Sequence, residues 1–271
     1  MKMWNKKKEK IEFFNDEYDI TENYPILESK NFKPKWIENV RKDLENSIKE
    51  GSLNVPGFSH IARCPGIFDL FKYGYVIPLH RDIIIIPHEK GFEWCMPGVQ
   101  EYDGELSNKC GIIGNKVMVK SPGKIESIDQ TSFSLISKPP WTSGFMFKIN
   151  TGWNVISPKG VKFIMLPIAY PDTFEFTSTI GILDPSINTQ INFQMYWNGT
   201  KEETIIKAGT PLGQLIPLTE KKYKMVQRKM NQQDREWTLK KHHTYYSSTF
   251  WPYQMRKKVS EIYNKYWHGE K

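Results

Sequence analysis

Five side chains between residues 60 and 95 have the chemistry of metal ligands: His60, Cys64, His80, His88 and Cys95. Their spacings match no standard zinc module. They read instead as packed histidines and buried free cysteines, and no metal is expected. His80-Arg81-Asp82 has the letters of a kinase catalytic loop. Position 87 is a proline where that loop needs asparagine, and no glycine-rich nucleotide loop precedes it. In the second half, Asp184 sits before Pro185 at the end of an apolar run. A carboxylate there can orient a water, or it can serve the turn itself. Lys159, in Ser157-Pro158-Lys159-Gly160, can meet a phosphate as a point charge. The same four residues also suit an ordinary exposed turn. No P-loop or dinucleotide fingerprint occurs.

The elements that must position these groups are short strands. Ile180 to Leu183 is apolar and ends in turn residues. Ile191 to Tyr196 then alternates, with Ile191, Phe193 and Met195 on one face and Asn192, Gln194 and Tyr196 on the other. Asn198-Gly199 is a hairpin signal, followed by Ile205 and Ile206. Ala208-Gly209-Thr210-Pro211 is another turn, and Leu212 to Ile216 a further strand. Val161 to Ala169 reads as a buried strand. Residues 89–150 hold short apolar pieces between Gly, Pro and Asn at a spacing of about ten residues, and read as strands and loops. Strands this short between turns this tight predict a mainly β fold, an antiparallel jelly roll or β-barrel.

The stretch Gly181 to Pro217 resembles the C-terminal half of the dUTPase and dCTP deaminase family of trimeric jelly rolls. Gly181-Ile182-Leu183-Asp184 lies where that family has its G-x-I-D turn. Gly209-Thr210-Pro211-Leu212-Gly213-Gln214-Leu215 lies where it has its closing strand. The match covers about 40 of 271 residues. The resemblance implies a nucleotide site in which Asp184 and Gln194 stand at the reacting positions. Ser157, Lys159, Ile187 and Gln214 stand at ligand-facing ones. The departures are chemical. Ile187 replaces the tyrosine that stacks on the base. Gln194 replaces the glutamate that moves protons, and an amide has no proton to exchange near neutral pH. The Ser157 segment lacks the family's arginine.

Cys64 to Asp82, taken with Gly209 to Pro217, resembles an uncharacterised family of tailed-phage proteins. That family combines a Cys-Pro turn, a Gly-Tyr-x-Ile-Pro strand and a Gly-Thr-Pro-x-x-Gln-x-Ile-Pro strand. Together the resemblances imply a homo-oligomer, a trimer by analogy, that is a non-enzymatic accessory or structural protein. The alternative is a deoxynucleotide triphosphate hydrolase or deaminase using Asp184. No cofactor is expected, and Mg²⁺ only under that alternative.

Charge divides the chain unevenly. Residues 221–271 hold 13 Lys or Arg against 4 Asp or Glu, so the first 220 residues come to −1 of a net charge of +8. A basic extension of this kind suits nucleic acid or an acidic partner, or is a solvated helical face. The expected organisation has three parts. Residues 1–51 form an arm and a helix at about 35–50, with Trp36, Ile37, Val40, Leu44 and Ile48 on one face. Residues 52–218 form the β domain. Residues 219–271 form two helices, at about 220–241 and 254–267, joined by an irregular aromatic link. Within the β domain, Pro65-Gly66 is expected to force a turn and Pro78 to separate two strands. No apolar run of about 18 residues exists, and no signal-peptide core follows the charged start. The chain is therefore expected in the cytoplasm, or in a particle assembled there, without membrane contact.

Overall fold

The computed structural model describes residues 9–16, 18–52, 60–88, 91–95, 125–127, 146–198, 202–247 and 252–270. The strands expected at 111–119 and 133–136 lie outside these residues. Among the described residues the fold is mainly β, in three sheets.

The first sheet is built on β7 (Met146–Ile156) and β11 (Gln190–Trp197), which pair antiparallel. Their side chains alternate between buried and half-exposed, as the sequence of β11 predicts: Ile191, Phe193, Met195 and Trp197 point into the core. β9 (Phe176–Ser178) pairs with β11, and β6 (Ile125–Ser127) with β7. On the other side of β7 lies β1 (Lys10–Asn15), and beside β1, in parallel, β14 (Lys224–Lys229). The expected N-terminal arm therefore supplies a strand of the central sheet. The expected helix from about 220 is, over its first part, a strand as well. Lys224–Lys229 has no strong pattern of its own, and the open edge of β1 supplies its hydrogen bonds. This sheet draws a strand from each of the three segments into which the sequence divides.

The second sheet runs β10-β8-β13-β3-β2. Its strands are β2 (Leu27–Glu28), β3 (Tyr75–Pro78), β8 (Phe163–Leu166), β10 (Gly181–Leu183) and β13 (Pro211–Pro217). The third runs β12-β4-β5, with β4 at Ile83–His88, β5 at Gly91–Cys95 and β12 at Thr204–Ile206. β11 pairs with β7 and β9 while β12 pairs with β4, so the strands flanking Asn198 are not the hairpin expected there. Among the described residues the sheets are open paths, not a closed barrel.

One core joins the three sheets: Phe13, Phe147, Trp153, Ile191, Phe193 and Trp197 of the first, Tyr75, Ile77, Phe163 and Leu215 of the second, Ile83, Ile85 and Ile206 of the third. Phe13 meets Tyr75 edge-on across it, with ring centroids 5.0 Å apart. Gln214, fully buried on β13, fastens this sheet to the chain that crosses it. Its amide nitrogen donates to Ser29 Oγ at 3.1 Å, the Leu70 carbonyl at 3.0 Å and the Tyr73 carbonyl at 2.6 Å.

Among the described residues five helices accompany the sheets: α1 (Tyr18–Thr21), α2 (Lys35–Lys49), α3 (Pro65–Leu70), α4 (Gln232–Ser247) and α5 (Pro252–His268). α2 falls where its periodicity places it, and Trp36 packs on Phe68, Phe71 and Tyr170. Its Ile48 is 60% exposed, so the predicted apolar face is only partly used. Pro65-Gly66 opens α3 and makes no turn, because proline at a first helical position gives up an N–H that has no partner there anyway. α4 continues to Ser247, through residues expected to be an irregular link. α5 matches its expected span. The two C-terminal helices lie on the outer side of β1 and β7. There Phe14, Ile156, Trp237 and Tyr263 form a second core. Two neighbouring residues of β1 thus serve two cores, Phe13 inward and Phe14 outward.

Candidate functional site

Two registers bring four of the residues singled out in the sequence, Ser157, Lys159, Asp184 and Ile187, to one place. β10 pairs with β8 so that Leu183 faces Phe163, and the next residues outward are Asp184 and Lys162. β11 pairs with β7 so that Gln190 faces Asn154. The loop after β7, which holds Ser157 and Lys159, must therefore lie beside the turn 184–188. The helices α4 and α5 close over both.

Asp184 is held on every side. Its carboxylate accepts from Ser186 N at 3.0 Å and Ser186 Oγ at 2.6 Å, and Lys162 Nζ lies at 2.9 Å. Its own carbonyl accepts from Ile187 N and Asn188 N, closing the turn. Burial pushes this carboxyl up, but the hydrogen bonds from Ser186 and Lys162 outweigh it and hold it below the ordinary carboxylate range. A carboxylate so engaged is an anchor for the turn. Ile187 is half-buried in that turn.

Ser157 is buried. Its hydroxyl donates to the Val161 carbonyl at 2.7 Å. Its N–H donates to the Tyr263 hydroxyl at 3.2 Å, and that hydroxyl donates back to the Ser157 carbonyl at 3.1 Å. Burial pushes the Tyr263 phenol up to about 12, with the nearby Asp184 charge adding to the shift. Lys159 is paired with Glu270 just beyond α5. Lys241 of α4 reaches Asn188 Oδ1 at 3.0 Å and stands 4.8 Å from the centre of the Trp237 ring. Burial pushes its ammonium down to about 8.

The other two positions stand apart. Gln194 points outward and exposed from the middle of β11, four residues past Gln190 or roughly 13 Å along the strand. It shares no hydrogen bond with Asp184 among the described residues. Gln214 lies in the second sheet, with its amide nitrogen committed to three oxygens. The structure thus gathers Ser157, Lys159, Asp184 and Ile187 around one pair of loops, and leaves Gln194 and Gln214 elsewhere. Sequence reasoning did not anticipate Lys162, Asn188, Lys241 and Glu270 as their partners. Tyr263 lies within the helix expected at about 254–267, with Met255, Val259, Ile262 and Tyr266 on the same face by their spacing.

The histidines have separate structural settings. His60 Nδ1 accepts from Ala62 N and its Nε2 meets Asp43 Oδ2, both at 3.0 Å. His80 is buried, while His88 is half exposed, with Glu93 Oε1 at 3.4 Å. Cys64 is an exposed free thiol, against the expectation of burial. Among the described residues no three His, Cys, Asp or Glu side chains come together as a metal would require. No helix among them is long and apolar enough to cross a membrane.

No protein-family model matches the chain, and no curated protein matches it.

Proposed function

We propose that the protein is a non-enzymatic, homo-oligomeric accessory or structural binding protein of the kind tailed phages carry, built on a degenerate dUTPase-like jelly roll. A mainly antiparallel β fold, with its sheets packed around one core, supports the jelly-roll reading. The observation that carries the loss of activity is the occupied loop pair. The N–H of Ser157 is spent on Tyr263, Lys159 on Glu270, and Asp184 on Lys162 and Ser186. Groups that would hold a triphosphate or orient a water are held by the chain's own side chains. Gln194, which the resemblance sets against the proton-moving glutamate, is an exposed amide away from Asp184.

Oligomerisation is supported by the outer face of the second sheet. Ile182, Ile164 and Ile216 form one cross-strand row there. Ile180, Ile182 and Leu218 are 69%, 59% and 53% exposed. A contiguous aliphatic patch on a sheet face marks an association surface.

Two measurements test the proposal. Pure protein incubated with each deoxynucleoside triphosphate and Mg²⁺ is expected to release neither phosphate, pyrophosphate nor ammonia. Turnover that Asp184→Ala abolishes while the oligomer stays intact would establish the hydrolase or deaminase alternative. Light scattering is expected to give a multiple of 31.8 kDa, a trimer in the dUTPase-like arrangement. Ile182→Lys is expected to reduce it to the monomer.

A further inference from the structure

The basic charge of the C-terminal segment is not uniformly available. Near the body it is consumed: Arg228 binds Glu12 and Asp234, Arg235 binds Asp16, and Lys241 binds Asn188. Lys240 rests on Tyr266, 4.7 Å from the ring centre. The far end of the helical pair is different. Between Glu236 and Glu261 the chain has no acidic residue, and beyond Lys241 it has Arg256, Lys257 and Lys258 together with His242 and His243.

The two helices run antiparallel. Trp237 stacks edge-on against Tyr263, and Gln233 donates to the Tyr266 carbonyl, so later residues of α4 meet earlier residues of α5. Thr244 and Lys258 accordingly line one groove. This places Tyr245 and Tyr246 at the same end as Tyr253, Arg256 and Lys257. The three tyrosines are 54%, 75% and 76% exposed. Tyr246 already carries a ring contact with His242, at 4.3 Å between centroids. Tyr253, Arg256 and Lys257 share one helix face by their i, i+3, i+4 spacing. Arg256 and Lys257 are exposed, and neither has an ion pair among the described residues. The first turn of α5 has no acidic residue to oppose an anion.

We propose that this distal end binds single-stranded nucleic acid. Tyr246 and Tyr253 offer faces on which bases stack, and Arg256 and Lys257 take the phosphates. Exposed aromatic faces beside unpaired cations suit an unpaired strand, whose bases are free to stack, better than a duplex, whose bases are not. Every base has a face that can stack on an aromatic ring, so binding is expected to be sequence-tolerant. The site is separate from the loops around Asp184 and does not depend on whether those loops retain any chemistry.

The test is fluorescence anisotropy with a labelled dT20 oligonucleotide and the full chain. Two phosphate contacts predict a loss of affinity of roughly 7-fold between about 50 and 200 mM salt. Tyr246→Ala and Tyr253→Ala are each expected to weaken binding at least about five-fold. Arg256→Gln with Lys257→Gln should lower the slope of log affinity against log salt by about 1.4. All four positions are exposed, so circular dichroism is expected to be unchanged. Lys221→Gln with Lys222→Gln, nearer the body, should change affinity little. No binding at low salt overturns the proposal. So does binding that the tyrosine substitutions leave intact, or preference for poly-glutamate over dT20, since either would mean plain attraction of polyanions.

Discussion

Arg228 and Asp234 join the last strand of the first sheet to the first turn of the helix that covers it. Asp234 is fully buried, and its two carboxylate oxygens accept from the two terminal nitrogens of Arg228 at 2.5 and 2.9 Å. Arg228 Nε also donates to Glu12 on β1 at 2.7 Å, and its guanidinium lies 5.0 Å over the Phe14 ring. Asp234 accepts from Asn231 N at 2.7 Å while Asn231 Oδ1 accepts from Asp234 N at 3.0 Å. This reciprocal pair is a capping box at the start of α4. One aspartate therefore fixes where the helix begins and how it sits on the sheet.

Removing Arg228 strands the buried Asp234 carboxylate, and removing Asp234 takes away both the cap of α4 and the stronger of the two ion-pair partners of the half-buried Arg228. Arg228→Ala and Asp234→Ala are each expected to destabilise the fold by about 3–5 kcal/mol, measured by urea unfolding. The double substitution should cost clearly less than the two single losses added together, because the second change removes the stranded group. Simple additivity would show that the pair does not act as a unit.

Gly74 is required by both conformation and space. Its φ is +75°, and a Cβ there would fall 2.0 Å from the Leu215 carbonyl oxygen. That oxygen belongs to β13 and has no room to move. Gly74→Ala is expected to cost more than about 2 kcal/mol, and to shift the thermal midpoint accordingly. Gly51 has a similar φ of +71° with nothing within 4 Å of the added atom. Gly51→Ala should therefore show the conformational cost alone, about 1 kcal/mol.

Acid should weaken the protein in two stages. The His80 imidazole is pushed down to about 4 by burial, with Arg81 adding to it. The folded chain keeps it neutral, whereas an unfolded histidine protonates below its ordinary value of 6.5. Its share of stability is whole above that value and is lost as pH falls towards about 4, on the order of 3 kcal/mol. Glu12 comes next. Burial pushes its carboxyl up, but Arg228 and Lys10 outweigh that and hold it low. Asp184 is held low in the same sense. These two contribute above the ordinary carboxylate range, and their share disappears only as pH falls below it. Urea midpoints taken from about pH 7.5 down to about pH 4.5 should fall in wild type and fall less in His80→Gln. Equal falls would remove His80 as the cause.

Local patterns decided a good part of this molecule. The alternation in Ile191–Tyr196 gave β11 its core face because period-two burial is written in neighbouring residues. The apolar spacing of α2 and of α5 placed both helices for the same reason. Asp184 before Pro185 was legible as a turn residue, since an aspartate serves its own backbone. Tertiary structure decided the rest. Lys224–Lys229 is a strand because β1, more than two hundred residues earlier, offers it an edge; nothing local distinguishes it from the start of the helix that follows. Lys10–Asn15 is central to a sheet because it is covered on two sides, by Tyr75 through Phe13 and by the C-terminal helices through Phe14. Lys162, Tyr263 and Glu270 come to stand around Ser157, Lys159 and Asp184 through strand register and helix docking. Such contacts join residues that are far apart in the chain, and their identity follows from packing that no single stretch contains.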